Sequence, residues 1–168
     1  THYRQPKQGE GSHHDYLGLV EDARAEGIDV TFDCCTYPYS GTSVTIQLPF
    51  WAKDGGPERT MAALADPDDR SKMKRELNSR SDINEIWNHR WLHNFRQPQN
   101  KKYDGKSIWN IAEIREQDPA DALFDLLLEE RLGISEVGTG TNAHTLPAFV
   151  SHPFGMIASD AILFGEHP

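Results

Sequence analysis

The side chains best suited to chemistry follow short apolar segments that are predicted to be strands. Met156 to Ala158 is such a segment, and Ser159 and Asp160 come directly after it. A short apolar run bounded by turn formers is typical of a buried strand in a parallel sheet. A carboxylate at the carboxyl end of such a strand lies where α/β folds place their active sites. Asp160 also fits a helix cap or a turn, so both interpretations stay open at this point.

A second polar segment, Tyr37 to Ser43, follows a predicted strand at Ile28 to Asp33. Apolar and polar residues alternate along that strand, which is typical of a half-buried strand. The polar segment combines tyrosine, proline, glycine and hydroxyl side chains. Its composition fits either a structured turn or a loop that contacts a ligand at the end of a strand.

Two pairs of residues raise the question of a metal site. His89 and His93 are four residues apart, as two zinc ligands on one helical face would be. No glutamate stands beside His89 and no third ligand is evident, so surface histidines of an amphipathic helix are the simpler interpretation. The adjacent Cys34 and Cys35 do not define a disulfide framework, and we interpret them as small buried residues.

The elements that must position these residues are helices alternating with short strands. Helices are predicted at His14 to Glu26, Pro57 to Ala65, Asp66 to Asn78, Ser107 to Glu116, Asp118 to Gly133 and Thr145 to Ser151. Ser12 is a candidate N-cap of the first helix, and Gly27 is its candidate C′ residue. The succession of helix, glycine and strand forms half of a βαβ unit, which predicts an α/β fold with a parallel sheet.

Composition narrows the class of protein and its partners. The chain has 168 residues, of which 37% are hydrophobic and 26% charged, as in one soluble globular domain. A net charge of −9 argues against a nucleic acid or an anionic membrane as partner. No apolar run approaches the roughly 20 residues that span a bilayer, and no signal peptide is visible. We therefore expect a cytoplasmic protein and, because the first residue is Thr1, a piece of a longer chain.

Six groups of residues, spread over nearly the whole chain, match the pattern of one enzyme family in order and spacing. They are Thr1 to Arg4, Ala23 to Thr31, Tyr37-Pro38-Tyr39 with Ser43, Asp104 to Ser107, Asp118 to Ala122 with Leu126 to Glu130, and His152-Pro153 before Met156 to Asp160. Together they resemble the D-aminoacylase (N-acyl-D-amino-acid deacylase) family of the amidohydrolase superfamily. The resemblance implies a zinc enzyme that hydrolyses the amide of an N-acyl-D-amino acid.

The resemblance also implies a fold, a metal-dependent (β/α)8 TIM barrel of which this chain is the last third. Strand 6 would end at His2, strand 7 would be Ile28 to Asp33, and strand 8 would be Met156 to Ser159. Residues 1–44 would then hold strands 6 and 7, residues 45–150 a largely helical insertion and the return helices, and residues 151–168 strand 8 and a rim loop. In the family, the insertion covers the active site.

The family's functional residues have matching positions in this sequence. His2 would be a ligand of Zn2+, and Asp160 would be the general acid/base that takes a proton from the zinc-bound water and returns it to the leaving amine. Arg4, where lysine is more usual in the family, would bind the substrate carboxylate together with Tyr37 and Ser43.

The sequence departs from the family pattern in several places. Ala161 stands where glycine usually follows the aspartate. The first-strand His-x-His pair, the bridging cysteine or lysine, the fifth-strand histidine and an arginine beyond strand 8 are not in the chain. We therefore expect this chain alone to be inactive and to bind zinc weakly, with the remainder of the parent barrel as its partner.

Two other functions stay open. A cyclic-amide hydrolase related to hydantoinase or dihydroorotase would share the metal chemistry, although the Tyr37-Pro38-Tyr39 loop and the long insertion argue against it. A stand-alone, inactive binding module is also compatible with the chain's length. Such a module would fold as a monomer without exposed sheet edges, whereas part of a barrel would expose two edges.

Overall fold

The computed structural model describes residues 11–139 and 143–159, and it shows an α/β chain. The helices are α1 (His13–Ala25), α2 (Phe50–Lys53), α3 (Gly56–Ala65), α4 (Pro67–Asn78), α5 (Ile83–His89), α6 (Ile108–Arg115), α7 (Pro119–Glu129) and α8 (Leu146–Val150). The strands are β1 (Phe32–Cys35), β2 (Tyr39–Ser43), β3 (Arg90–His93), β4 (Lys106–Ser107), β5 (Ser135–Thr139) and β6 (Gly155–Ala158). Two 3-10 helices lie at Val44–Gln47 and Pro98–Tyr103. No helix in the described ranges has the length and apolar character needed to cross a bilayer.

The chain divides into two units. We call residues 41–139 the central unit, and residues 1–40 with 140–168 the terminal unit. Of the terminal unit the structure describes residues 11–40 and 143–159. The three-part division expected from the family resemblance, with boundaries after residues 44 and 150, stays a prediction.

In the terminal unit, β1 and β6 form a parallel pair. Phe32 is the register partner of Gly155 and Cys35 is that of Ala158. The strand predicted at the end of the chain is thus confirmed, one residue earlier than expected. The strand predicted at Ile28 to Asp33 is wrong in its bounds, because pairing begins only where the Phe32 amide donates to the Phe154 carbonyl. Alternation of polarity alone does not reveal where a partner strand begins.

Both predicted caps of α1 are confirmed. The Ser12 hydroxyl accepts a hydrogen bond from the Asp15 amide, and the Asp15 carboxylate accepts one from the Ser12 amide in return. At the other end Gly27 takes a φ of +88°, and the Ile28 amide donates to the Ala23 carbonyl. These bonds form the capping box and the Schellman motif, which satisfy the backbone groups that a helix leaves unpaired at its ends.

One apolar cluster joins α1 and α8 to the parallel pair. Its buried members are Leu17, Val20, Phe32, Cys34 and Phe149. Because side chains alternate along a strand, Asp33 and Cys35 lie on the opposite face of β1 from this cluster. The prediction that both cysteines are buried holds for Cys34, whereas Cys35 is only partly buried.

The central unit is built on a four-stranded sheet in the order β2-β5-β3-β4. β3 is antiparallel to both β4 and β5 and was not predicted. The sequence analysis placed its residues in an amphipathic helix, but α5 ends at His89 and Leu92 is fully buried in the sheet. The helix-like spacing of the apolar residues there is therefore misleading, because pairing with two distant strands overrides the local pattern.

Helices α3 to α7 cover the sheet with one continuous core. Its fully buried side chains include Leu64, Met73, Leu77, Ile111, Leu123, Phe124 and Leu127. The predicted start of α7 is confirmed, since Asp118 accepts a hydrogen bond from the Ala120 amide and Pro119 opens the helix. Its predicted end at Gly133 is wrong, because the helix ends at Glu129 and the left-handed turn falls on Arg131 and Leu132.

The cap of α7 gives a first test of this local chemistry. Asp118→Ala removes both the cap and an ion pair with Lys74, whose Nζ lies 3.2 Å from the carboxylate. Asp118→Asn keeps a capping oxygen and loses only the charge. We expect the alanine variant to lose about 1 kcal/mol of unfolding free energy and the asparagine variant much less, measured by urea denaturation. Equal losses would assign the effect to the ion pair instead.

The central unit is expected to fold without the rest of the chain. Its first and last strands, β2 and β5, are hydrogen-bonded neighbours, so its two ends lie side by side and its core is self-contained. We expect the excised segment 41–139 to unfold cooperatively in urea, with a native near-ultraviolet circular dichroism spectrum. Leu127→Ala should cost that segment about 2–5 kcal/mol. A non-cooperative transition would show that the unit depends on the rest of the chain.

Candidate functional site

The structure describes two of the five predicted site residues. His2, Arg4 and Asp160 lie outside the described residues. Tyr37 and Ser43 are described, but they belong to different units of the chain. The expected grouping of all five residues around one substrate therefore stays a prediction.

Tyr37 lies in the turn that follows the carboxyl end of β1, and its side chain is partly exposed. The same end of a parallel strand was predicted for it. Upstream, Asp33 and Cys35 share one face of the parallel pair with Met156 and Ala158, their respective register partners on β6. Asp33 and Cys35 thus lie on the face of β1 opposite the apolar cluster with α1 and α8.

Ser43 is the last residue of β2 and the N-cap of the 3-10 helix Val44–Gln47. Its exposed hydroxyl forms a 2.8 Å hydrogen bond with that of Thr45 and also accepts one from the Thr45 amide. A serine hydroxyl has one donor and two acceptor sites, so Ser43 keeps its donor for a ligand when the Thr45 hydroxyl is the donor in their bond. The placement is compatible with binding a carboxylate.

The turn behind Ser43 is attached to β5. Val44 is fully buried, and its amide donates to the Ile134 carbonyl at 3.1 Å. Gln47 is also buried, and its side-chain nitrogen donates to Glu136 Oε1 at 2.7 Å. The side-chain oxygen of Gln47, Oε1, accepts a hydrogen bond from Arg80 Nη1 at 3.4 Å. Both ends of the turn are therefore held by side chains or backbone of other elements.

Glu136, like Glu130, is a buried carboxylate of the central unit, with 4% of its surface exposed. Burial raises the pKa of its carboxyl group, against the hydrogen bond from Gln47 and the charges of Arg90 and Arg80, which lower it. Arg90 Nε lies 3.9 Å from Glu136 Oε1. Within the described residues, Arg90 Nε and Glu136 Oε2 have no hydrogen-bond partner. Sequence reasoning missed Glu136, because a single glutamate close to apolar residues carries no signal of its burial.

The structure gives no support to a metal site at the paired histidines. His89 ends α5 and its ring contacts that of Trp91, whereas His93 ends β3 with Nδ1 3.7 Å from the Asp104 carboxylate. They therefore do not share a helical face. Across residues 11–139 and 143–159, no group of three histidine, cysteine, aspartate or glutamate side chains is arranged to hold a metal ion.

Comparisons with known proteins add one likeness. The chain is similar in structure to an N-acyl-D-glutamate deacylase from Bordetella bronchiseptica, solved with zinc and a phosphonate inhibitor that mimics the tetrahedral intermediate of the reaction. The TM-score is 0.54 and the identity 17%, over 95% of this chain and 25% of that one. No protein-family model and no curated protein sequence matches the chain at a significant level. This chain therefore shares its fold with a stretch that makes up about a quarter of that deacylase.

Proposed function

We propose that this chain is part of a zinc-dependent amidohydrolase that cleaves the amide bond of N-acyl-D-amino acids. The observation that carries the proposal is the structural likeness, over 95% of the chain, to a deacylase solved with zinc and a tetrahedral mimic. The family resemblance of the six groups of residues supports it from the sequence alone. The two lines of support are different in kind, because the likeness compares backbone positions and the resemblance compares residue types.

The topology of the terminal unit supports a barrel origin. In a (β/α)8 barrel, neighbouring strands are parallel and are joined by helices on the outside. β1 and β6 are parallel neighbours, and the chain between them is largely helical. We assign them to strands 7 and 8 of the barrel, and the central unit to the insertion between those strands. Tyr37 and Asp160 then follow the carboxyl ends of adjacent strands, where barrel enzymes carry their chemistry.

Each site residue has a role in this proposal. Asp160 takes a proton from the attacking water and returns it to the amine that leaves. Arg4, Tyr37 and Ser43 bind the carboxylate of the amino acid, which orients the scissile amide. His2 is one zinc ligand, and zinc, when bound, supplies a polarised carbonyl and an acidic water.

One histidine is too few to hold zinc. The described residues contain no three-ligand cluster, and catalytic zinc sites usually have three protein ligands. We assign the other ligands to parts of the parent protein that are not in this sequence. The chain alone is then expected to be inactive.

The exposed apolar side chains of β6 favour part of a barrel over a stand-alone binding module. Within the described residues, β1 and β6 have only each other as hydrogen-bonded neighbours. On β6, Met156 and Ile157 are 53% and 68% exposed although they point to opposite faces. Exposed apolar side chains on both faces of a strand are expected where further strands and helices belong.

Part of a barrel ends in strands with an uncovered edge, so the proposal predicts that the isolated 168-residue chain self-associates. We expect its sedimentation coefficient to rise with concentration, because uncovered strand edges and apolar side chains recruit other copies. The double variant Met156→Lys, Ile157→Lys should weaken this association, whereas Glu58→Lys with Glu113→Lys, on the exposed surface of the central unit, should not. A monodisperse monomer at all concentrations would favour the binding module.

The activity is tested on the parent protein, encoded by the locus with its flanking sequence. We expect hydrolysis of N-acetyl-D-glutamate or another N-acetyl-D-amino acid, and none of the L-enantiomers. Asp160→Asn should lower kcat by roughly 10²–10⁴, because it removes the group that transfers the proton. The matched control is Asp54→Asn, an exposed aspartate that should leave kcat unchanged.

The same assay separates the alternatives. Turnover of a hydantoin or of dihydroorotate, without turnover of any N-acyl amino acid, would assign the protein to the cyclic-amide hydrolases. A parent reading frame without a His-x-His strand would remove the basis for a zinc enzyme altogether.

A further inference from the structure

We propose that Glu136 is a positioning residue that fixes Ser43 through the side chain of Gln47. The proposal rests on the proposed function, in which Ser43 binds the carboxylate of the substrate. It adds a residue of the central unit that contacts no substrate and yet controls how well the substrate carboxylate is held.

The turn that Ser43 caps has little stability of its own. It is a single 3-10 helix, Val44–Gln47, closed by the bond from the Leu48 amide to the Thr45 carbonyl. Short 3-10 helices have poor hydrogen-bond geometry and rarely persist without outside support. The position of the Ser43 hydroxyl therefore depends on the anchors of the turn.

Both anchors of the turn are on one short segment, Ile134 to Glu136. The Val44 amide donates to the Ile134 carbonyl at the start of the turn, and Gln47 donates to Glu136 at its end. The side chain of Val44 is fully buried and that of Gln47 nearly so. The turn is thus attached at both ends to β5 or to the residue before it. β5 is an inner strand of the sheet, paired with β2 and β3.

The charges around Gln47 fix the orientation of its amide. Its nitrogen faces the Glu136 carboxylate and its oxygen faces the Arg80 guanidinium. A flipped amide would place oxygen against carboxylate and nitrogen against guanidinium, so only one orientation is favourable. A hydrogen bond to an ionised acceptor is also stronger than one to a neutral acceptor. A carboxylate thus holds the turn more firmly than a neutral side chain at the same place.

A carboxylate at this position lowers the stability of the fold, which argues that it serves another purpose. Glu136 is buried, and within the described residues its Oε2 has no hydrogen-bond partner. Buried acceptors without partners are destabilising. Its hydrogen bond with Gln47 joins residues 89 positions apart in the chain. It therefore attaches the turn behind Ser43 to a distant part of the chain, which bonds within the turn cannot do.

The first test needs no activity and uses amide hydrogen exchange of the 168-residue chain. In Glu136→Ala, we expect the Val44 and Leu48 amides to exchange roughly tenfold faster, while the amides of α7 keep their rates. Gln47→Ala should give the same pattern, and the double variant should add little to either. Glu136→Gln keeps an oxygen that can accept from Gln47 but loses the charge, so its rates should lie between those of the original chain and those of Glu136→Ala.

A matched control separates local from general effects. Glu129→Ala removes another carboxylate of the central unit, one that pairs with Arg115 far along the chain from the turn. It should leave the Val44 and Leu48 amides unchanged. Unchanged exchange of these amides in Glu136→Ala, or equal acceleration throughout α7, would overturn the proposal.

The second test uses the parent deacylase with an N-acyl-D-amino acid. Glu136→Ala and Ser43→Ala should each raise KM by roughly tenfold with kcat little changed, and the double variant should resemble the single ones. Glu136→Gln should retain part of the affinity, with a KM between those of the original enzyme and Glu136→Ala. An unchanged KM in Glu136→Ala would overturn the proposal even in an active enzyme. Absence of any deacylase activity would instead refute the proposed function, and the exchange experiment would then decide the role of Glu136 by itself.

Discussion

The parallel pairing of β1 with β6 is the constraint on which the architecture depends. Parallel neighbours cannot be joined by a tight turn, because the chain must travel back along the strand before it can pair again. Here the connection runs from residue 36 to residue 154 and contains a second core of its own. That long connection is possible because β2 and β5, the first and last strands of the central unit, are paired with each other. The return path is therefore closed locally, and the parallel pair does not depend on a long unstructured loop.

Two buried or half-buried carboxylates of the central unit respond to pH in opposite directions. The hydrogen bond from Arg115 lowers the pKa of Glu129, so the stability that this pair contributes is present at neutral pH and is lost as the pH falls. Burial raises the pKa of Glu136, so its contribution is largest at low pH and is lost as the pH rises through the raised pKa. Glu129 lies on the surface of α7 and behaves as an ordinary structural ion pair. Glu136 costs stability at neutral pH, which is expected of a residue retained for position.

What the sequence predicts correctly is local chemistry. Ser12, Gly27 and Asp118 were identified as helix caps because capping requires only a few neighbouring residues of known type. The strand β3 was missed because its pairing partners are about 15 and 45 residues away in sequence, and its apolar spacing also fits a helix. The helix was predicted to end at Gly133, but a Cβ there would lie 3.0 Å from the Glu130 carbonyl oxygen, so close approach explains the glycine. Tyr37 was correctly placed after a strand, whereas Glu136 shows its burial only once the distant elements are assembled.

A shared fold does not by itself establish an activity, because unrelated reactions occur on the same barrel. Evidence for an activity has to come from what the chain's own residues can do. Within the described residues no three-ligand metal cluster is present, yet Ser43 is held by an anchored turn with a charged network behind it. Sites that bind charged groups well are those whose contacting side chains are fixed by a supporting layer of hydrogen bonds. The proposed function assigns proton transfer and the positioning of the substrate carboxylate to this chain. An enzyme divided in this way would lose affinity before rate when Glu136 is removed, because in that proposal the turn that Glu136 holds binds the carboxylate and not the reacting amide.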